Sequence, residues 1–578
     1  MKALIQRAMQ FRRTRAFARY EHACHDPAAA QETALRWLVE RSGHTALARR
    51  LGATPGQVRS IDDLRRRVPL TSYDEIAPEI DAALRGQPDL LIPGRPSFFA
   101  LTSGTTGRSK YIPIDDAYRR AFQTPMQHYL YGVVRDHPRA FSAKVLYMVG
   151  PPEVEHTPGG AVAGTISGYN YRALPKLLAS VGAVPWQVFA VRDPLAQIHA
   201  TARLALRHDV SFAVAITTAP LAALGTAMRD HADLLLRDLH DGTLTIPTGA
   251  LSRAERDMLQ PFATRDPRRA RALTHACSRA GGLTPRVAWP NLALLSCWAH
   301  AGAATHLHLF DELYGPGPLR SAVYSATEGW INIPLRDHDP SGALSIESGV
   351  YEFEVLDERG EPTGDTLLPH ETVVGAEYGI VLSSGCGLFR YRLGDRVRVT
   401  GFFHRTPEIM FVRKLGAVLS LAHDMTTEDH VATAVAAVAA SGVPLARWVF
   451  GPCDGFPPRY RLVVASDGGM SAEAIAARFD AALGHANLGY EADREAAILA
   501  PVEVTLLGRA EFDAWEAARR AAVERLAGRL KAAVDFGQVD ELMSGGVAAF
   551  IADITKQCEQ IHKALYSSYI TYGAETVL

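Results

Sequence analysis

The chain has 578 residues, which is too long for one ordinary hydrophobic core, so two or more domains are expected. A hydrophobic fraction of 47% and a charged fraction of 21% are typical of a globular protein, and no apolar run is long enough for a transmembrane helix. The formal net charge of -1 excludes a strong overall attraction to nucleic acid or to an anionic membrane.

The six cysteines are widely scattered, and none belongs to a C-x-x-C pair. This pattern argues against a zinc site and a disulfide framework, and it favours a reducing, cytoplasmic setting. Residues 1–20 are basic but lack an apolar core followed by a small-residue cleavage site. They are therefore predicted to form a solvated amphipathic helix rather than a secretory signal, with a transit peptide or a surface-binding helix as the alternatives.

Helical spacing dominates the first hundred residues. Residues 30–43 carry apolar side chains at that spacing and end on glycine, which predicts a helix with a glycine C-cap. Thr71 or Ser72 is expected to cap a second helix that Gly86 ends. The apolar run Phe98–Leu101 predicts a strand that holds the next loop in place.

That loop, residues 102–110, reads T-S-G-T-T-G-R-S-K and has the composition of a phosphate-binding loop. Glycines allow backbone N–H groups to crowd an anion, the hydroxyls add donors, and the lysine adds a mobile positive charge. The residues concerned are Ser103, Gly104, Thr105, Thr106, Gly107 and Lys110. The stretch is not a Walker A loop, because its lysine lies three residues past the second glycine. The alternative is an ordinary surface turn.

The middle of the chain mixes buried strands with helices, which predicts α/β layering. Residues 143–150 and 210–220 are expected to form strands, whereas Gly164–Asn170 is expected to be flexible and to precede a helix. Residues 227–285 are helical and rich in charge, as in a solvated outer layer. From 349 to 400 the apolar positions alternate, which predicts a mainly antiparallel β subdomain.

A domain boundary is expected where this β pattern ends. Residues 1–414 are predicted to form a large domain of layered sheets and helices, and residues 415–578 a small α+β domain with a helical tail. The first helix of the small domain should begin near Thr426. The predicted fold class is therefore α/β.

Two further polar clusters follow strand-like runs. Tyr324–Glu328 offers an aromatic face for a base and a carboxylate for Mg²⁺, and Tyr391–Asp395 offers a carboxylate for ribose hydroxyls. Either carboxylate has a plain structural alternative, Glu328 as a surface charge and Asp395 as a turn residue. The order of the three clusters favours a nucleotide site.

These clusters resemble the motifs of the adenylate-forming superfamily of acyl-CoA synthetases, peptide-synthetase adenylation domains and luciferases. The matching stretches are TSGTTGRSK, YSATE and YRLGD. Longer segments resemble one branch more closely, the auxin-responsive acyl acid-amido synthetases, and keep that family's order over roughly residues 65–425. Among them are VPLTSYDEIAPEI, VYEFEVLDERGE and VTGFFHRTPEIMFVRK.

The resemblance implies an AMP-forming ligase that uses ATP and Mg²⁺. It would activate a carboxylic acid as an acyl-adenylate, release pyrophosphate, and pass the acyl group to an amine, usually an amino acid. It also implies a small C-terminal domain that moves between the two steps. The implied nucleotide-binding residues are Ser103, Gly104, Thr105, Thr106, Gly107, Tyr324, Ser325, Thr327, Asp395 and Phe411. The implied catalytic residues are Lys110, Glu328 and Lys531, with Glu328 also the Mg²⁺ ligand.

The sequence departs from the family at its lysines. Met425 stands where the plant enzymes carry a lysine, and the surroundings of Lys531 do not match the family's C-terminal lysine, so an exposed helix lysine is its alternative. Phe411 is equally well explained as a core residue of a strand. An acyl-CoA ligase, a carrier-protein loader and a non-catalytic nucleotide-binding relative therefore stay open as alternative functions, and the oligomeric state stays unknown.

The acid is expected to bind in the large domain beside the phosphate loop. Four segments mix aromatic and aliphatic side chains in a way that suits an aromatic or medium-length apolar acid. They are Phe122–Tyr131, Gly164–Tyr171, Ala215–Pro220 and Cys297–Thr305. No single arginine or histidine among them identifies itself as the partner of the acid's carboxylate.

Overall fold

The computed structural model divides the chain into two compact units, residues 1–415 and 416–576. The residues it describes are 2–102, 110–247, 250–298, 307, 309–358, 360–415, 418–419, 426–441, 445, 447–453, 457, 459–466, 468–495, 499–519 and 570–572. Within these ranges, every helix is too short or too polar to cross a lipid bilayer.

Five helices open the first unit: α1 Lys2–His25, α2 Pro27–Ser42, α3 Ala46–Leu51, α4 Ile61–Arg67 and α5 Tyr73–Leu84. The predicted end of α2 at a glycine is confirmed. Ser72 caps α5, because the carboxylate of Glu75 accepts a hydrogen bond from the Ser72 N–H at 2.6 Å. Thr71 instead donates its hydroxyl to the carbonyl of Phe389 at 2.9 Å, so it ties the start of α5 to a distant strand.

Eight strands form two sheets in the next part of this unit: β1 Phe98–Thr102, β2 Lys110–Ile114, β3 Lys144–Met148, β4 Glu155–His156, β5 Val162–Gly164, β6 Val210–Thr217, β7 Leu294–Trp298 and β8 Leu319–Ser321. One sheet has the order β2-β1-β5-β4, and the other, β3-β6-β7-β8, is wholly parallel. The predicted strands at 98–101, 143–150 and 210–220 are confirmed, although the last ends at Thr217.

Helices surround these sheets, as expected for parallel strands buried on both faces. They are α6 Asp116–Phe122, α7 Thr124–Asp136, α8 Ile166–Arg172, α9 Lys176–Ala179, α10 Pro194–Ala205, α11 Thr218–Asp230, α12 Ala232–Asp241, α13 Arg253–Leu259, α14 Pro267–Ala280, α15 Pro285–Ala288 and α16 Phe310–Tyr314. The prediction of a flexible segment at Gly164–Asn170 is wrong. The Thr165 hydroxyl accepts a hydrogen bond from the Gly168 N–H at 3.1 Å, and this cap starts α8 inside the segment.

The β subdomain predicted from alternating apolar positions is confirmed. After a short hairpin, β9 Ser325–Ala326 and β10 Gly329–Trp330, seven strands follow: β11 Asn332–Ile333, β12 Gly342–Leu344, β13 Gly349–Leu356, β14 Pro362–Leu367, β15 Glu377–Ser384, β16 Leu388–Phe403 and β17 Thr406–Lys414. They form one antiparallel sheet in the order β11-β12-β17-β16-β15-β13-β14.

The second unit contains β18 Val418–Leu419, β19 Thr426–Thr427, α17 Glu428–Ala439, β20 Trp448–Cys453, β21 Arg459–Ala465, α18 Ala472–Ala486, α19 Leu488–Glu495, β22 Glu503–Leu507 and β23 Ile570–Tyr572. Four of these strands form a sheet in the order β22-β21-β20-β23, and the unit has its own apolar core. Residues 509–519 are also helical. The α/β class, with a large first part and a smaller α+β second part, is confirmed.

Acid should destabilise the first unit through His128. This side chain is 2% exposed and stacks on Tyr20 with ring centres 4.7 Å apart. Burial, with a smaller effect of Arg19, lowers its pKa from 6.5 to about 4. The unfolded chain therefore binds a proton that the folded chain excludes between about pH 6.5 and about pH 4, and stability falls with pH across that window by about 1.4 kcal/mol per unit.

We expect urea denaturation at several pH values to give a shallower acid slope for His128→Leu than for the original chain. His44 is exposed, and His44→Gln serves as the control that keeps the original slope. An unchanged slope in His128→Leu would show that this histidine does not titrate on unfolding.

Candidate active site

The predicted phosphate loop joins two antiparallel strands. β1 and β2 pair so that Thr102 lies opposite Lys110. Ser103, Gly104, Thr105, Thr106 and Gly107 lie outside the described residues. Lys110 is half-buried at the first position of β2, and its Nζ lies 5.4 Å from the centre of the Tyr73 ring, within range of a cation–π contact. The Tyr73 hydroxyl in turn accepts the Tyr111 N–H at 2.9 Å, so α5 and β2 are joined directly beside the lysine.

Glu328 lies in the turn of the hairpin β9–β10, where it is 5% exposed. The carbonyl of the preceding residue, Thr327, accepts a hydrogen bond from the Tyr118 hydroxyl at 3.1 Å, which ties the turn to α6. On the other side, a Cβ at Gly329 would lie 2.7 Å from a methyl of Leu382. Only glycine fits there without a shift of Leu382, so the turn that carries the carboxylate is closely packed on β15.

Tyr324 and Asp395 meet although they are far apart in sequence. The Tyr324 hydroxyl donates a hydrogen bond to Oδ2 of Asp395, which is 2% exposed on β16. Burial and the neighbouring carboxylates of Asp395 and Glu328 hold the pKa of Tyr324 well above its usual value. The phenol therefore stays protonated and remains a donor to Asp395 over the whole physiological pH range.

Three aromatic rings surround this hydrogen bond. Trp298, Tyr324 and Phe411 lie pairwise with ring centres 5.5 to 5.6 Å apart, in tilted or edge-to-face arrangements. Both Trp298, the last residue of β7, and Phe411 on β17 are half-buried. A cluster of aromatic rings on a cavity wall suits the stacking of a planar base.

Asn332 locks the backbone beneath this cluster. Its side-chain oxygen accepts the Tyr324 N–H at 3.0 Å, and its amide nitrogen donates to the carbonyl of Ile409 at 2.8 Å. Asn332 is 1% exposed, so neither bond competes with water. The residue therefore connects the turn that carries Tyr324 to the strand that carries Phe411.

One cavity of about 1790 Å³ joins these groups. The predicted residues that line it are Lys110, Tyr324, Ser325, Thr327, Glu328, Asp395 and Phe411. Its lining includes the carboxyl ends of β6 and β7, where α/β sheets commonly bind ligands. Each of the four segments predicted for the acid contributes lining side chains, for example Met126, Ile166, Ile216 and Trp298. Lys531 and Met425 lie outside the described residues.

Two site residues, Tyr73 and Asn332, were not singled out in the sequence, and Trp298 was predicted only as part of the segment Cys297–Thr305 for the acid. All three contact residues that were predicted for the site. The one local signal was the position of Tyr73 inside the capping box of α5, because a capped first turn has a fixed position.

Family comparison decides the identity. Residues 16–319, more than half of the chain, match the GH3 family N-terminal domain. The chain belongs to the GH3 family. Its residues 342–414 match the GH3 family central domain and 428–531 the GH3 family C-terminal domain. The resemblance to acyl acid-amido synthetases inferred from the motifs is thereby confirmed.

Named GH3 relatives are plant enzymes. The chain is 26% identical over 468 residues to jasmonoyl--L-amino acid synthetase JAR4 of Nicotiana attenuata, covering 76% of this chain and 78% of the relative. It is 28% identical over 430 residues to indole-3-acetic acid-amido synthetase GH3.8 of Oryza sativa subsp. indica, covering 70% and 69%. The solved structure of GH3.15 acyl acid amido synthetase matches with a TM-score of 0.73 at 20% identity, covering 87% and 90%, which confirms the fold.

Proposed function

We propose that this GH3 chain is an ATP-dependent acyl acid–amido synthetase. It activates a carboxylic acid as an acyl-adenylate, releasing pyrophosphate, and then joins the acyl group to an amino acid or another amine, releasing AMP. The observation that carries the proposal is the single cavity in which Lys110, Glu328 and the Tyr324–Asp395 pair share one space with an apolar extension. The amido synthetase activities named for its relatives support the same reaction class.

The nucleoside is proposed to bind at the aromatic cluster. Asp395 has one carboxylate oxygen bonded to Tyr324, and its position on the cavity wall suits acceptance of hydrogen bonds from ribose hydroxyls. Trp298, Tyr324 and Phe411 offer ring faces for adenine. Ser325 and Thr327, on the same wall, add polar groups toward the α-phosphate.

The triphosphate is proposed to extend from there toward β2. Lys110 supplies positive charge to the β- and γ-phosphates together with the loop residues Ser103, Gly104, Thr105, Thr106 and Gly107. In the first step, an oxygen of the acid attacks the α-phosphorus, the bond from this phosphorus to the bridging oxygen breaks, and pyrophosphate leaves with its charge neutralised by these groups.

Glu328 is proposed to hold Mg²⁺ against the phosphates. Bound there, Mg²⁺ supplies charge neutralisation for the leaving pyrophosphate. The buried carboxylate of Glu328 on the cavity wall fits this ion, which is typically held by one or two carboxylates and by substrate phosphates. Among the described residues, no group of three or more potential ligands forms a closed metal site of another kind.

In the second step, the nitrogen of a neutral amine attacks the acyl carbon, the bond from this carbon to the phosphate oxygen breaks, AMP leaves, and the nitrogen releases a proton to solvent as the amide forms. We propose that residues 1–414 carry the ATP and acid sites and that residues 415–578 form the second domain, whose Lys531 is the candidate for a further cationic contact.

A cytoplasmic, reducing location is proposed because Cys24, Cys277, Cys297, Cys386 and Cys453 are free thiols.

The test is acid-dependent exchange of labelled pyrophosphate into ATP over a panel of acids, followed by mass spectrometry of products formed with mixed amino acids. The expected result is exchange with selected acids, then AMP and an amide without coenzyme A. Thioester formed only with coenzyme A would indicate an acyl-CoA ligase, and ATP binding without exchange for any acid would indicate a non-catalytic relative.

A further inference from the structure

The cavity continues far beyond the nucleotide groups, along the parallel sheet. Lining residues occur along the whole of β6, from Asp209, which directly precedes the strand, to Thr217, which ends it. Tyr147 and Val214, which pair across β3 and β6, line it between these ends. The space therefore follows the face of the sheet from the carboxyl ends of the strands to their amino ends.

Helix α7 forms the opposite wall, and its rise gives an independent estimate of the length of the cavity. Met126, Leu130 and Val134 line the cavity at intervals of four residues, so they share one face of the helix. Gln123 precedes the first residue of α7 and follows Phe122, whose ring centre lies 5.4 Å from that of Trp330 on the hairpin that carries Glu328, so this end of α7 lies toward the nucleotide groups. From Gln123 to Val134 the helix rises about 16 Å, at about 1.5 Å per residue. Leu178 and Val181 close the side of the cavity near α9.

The lining of the cavity is mainly apolar, and some of its polar groups bond each other. The Tyr129 hydroxyl and the Ser296 hydroxyl are 2.6 Å apart and bond each other. Phe212 and Val214 add apolar surface from the sheet. At the far end, beside the amino ends of β3 and β6, the charged residues Lys144 and Asp209 line the cavity and limit its apolar part.

We propose, on the basis of the function proposed above, that the acid is an elongated aliphatic acid rather than a compact ring acid. Its carboxylate lies at the nucleotide end, near Gln123, and its tail lies between α7 and the sheet, pointing toward Val134. A chain of about 13 carbon atoms spans this length, because an extended chain with bonds of about 1.5 Å advances about 1.25 Å per carbon. A compact acid leaves the far half of the apolar space unfilled.

The test compares straight-chain acids from butyric to tetradecanoic acid with benzoic and indole-3-acetic acids, below micelle-forming concentrations. We expect kcat/KM for pyrophosphate release to rise about fourfold per added methylene up to octanoic acid or beyond, as apolar surface is buried, and to fall once the chain reaches the charged end. A compact acid preferred over every straight-chain acid would overturn the proposal while leaving the ligase function intact.

A variant at the far end separates length from general hydrophobicity. Val134→Trp should shorten the apolar space and lower the ratio of kcat/KM for decanoic over butyric acid by tenfold or more, and Leu178→Trp, on the other wall, should do the same if the first variant does not fold. Arg139→Trp changes an exposed residue outside the cavity and should keep the original ratio.

Calorimetry with decanoic and butyric acids, without ATP, tests the proposal by binding alone and needs no turnover. The proposal is supported if decanoic acid binds more tightly than butyric acid and if Val134→Trp removes this difference. This outcome supports it even if no acid gives pyrophosphate exchange and the ligase function fails. Equal binding of the two acids would overturn it.

Discussion

Replacing Glu328 with glutamine is expected to lower acid-dependent ATP–pyrophosphate exchange by about 10³-fold or more. The substitution keeps the size of the side chain and its packing in the β9–β10 turn but removes the negative charge that is proposed to hold Mg²⁺. Loss of metal-assisted charge stabilisation costs several kcal/mol of the transition state, and about 4 kcal/mol corresponds to 10³ in rate. The rate constant should fall more than the KM for ATP rises, because the charge on pyrophosphate develops during the reaction.

Glu408→Gln is a matched control for Glu328→Gln, because it also replaces a buried carboxylate with a neutral amide. Glu408 is 7% exposed and forms an ion pair with Arg336 at 2.9 Å, but it does not line the cavity. Glu408→Gln should therefore lower stability without changing exchange per folded molecule. Titration of Mg²⁺ in both variants completes the measurement, and full exchange activity in Glu328→Gln would remove this residue from the metal site.

Asp395→Asn is expected to raise the KM for ATP by about 10²-fold. Hydrogen bonds to charged groups contribute about 1.5–3 kcal/mol, and the variant weakens both the proposed ribose contacts and the bond from the Tyr324 hydroxyl. Tyr324→Phe removes only that hydroxyl and keeps the ring, so it should cost about tenfold. In the double variant the two effects should not add, because they share one hydrogen bond.

Comparison of ATP with 2′-deoxy-ATP isolates the ribose contact. The original chain should prefer ATP, and Asp395→Asn should lose most of that preference, whereas Asp365→Asn, at an exposed position of β14, should keep it. A preference for ATP that survives in Asp395→Asn would assign the ribose contact to another group.

Local patterns were sufficient to predict the elements that hold the site. Alternating apolar positions indicated the antiparallel sheet around Asp395, and the capping candidates Thr71 and Ser72 indicated the start of α5. The exception was α8, whose glycine-rich sequence suggested flexibility. Its single cap, Thr165, outweighs the low helix propensity of glycine because the segment also packs tightly against the 150–152 turn.

The long-range contacts of the site were not available from local patterns. Tyr324 and Asp395 are separated by 71 residues, and the contact of Asn332 with Ile409 spans 77. Such pairs depend on how sheets pack, which periodicity does not encode. The order of the three polar clusters and their similarity to the motifs of a known family placed Glu328 and Asp395 in one predicted site, whereas Trp298, outside any motif, was predicted only as part of the acid segment Cys297–Thr305.

Asn332 has a thermodynamic consequence for recognition. By bonding both the Tyr324 turn and the Ile409 carbonyl, it fixes two of the three backbone segments that carry the aromatic rings. The backbone entropy of these two segments is therefore lost when the chain folds and not when a ligand arrives. If a planar base binds here as proposed, discrimination between bases should depend on shape and edge contacts, with little contribution from ordering of this backbone.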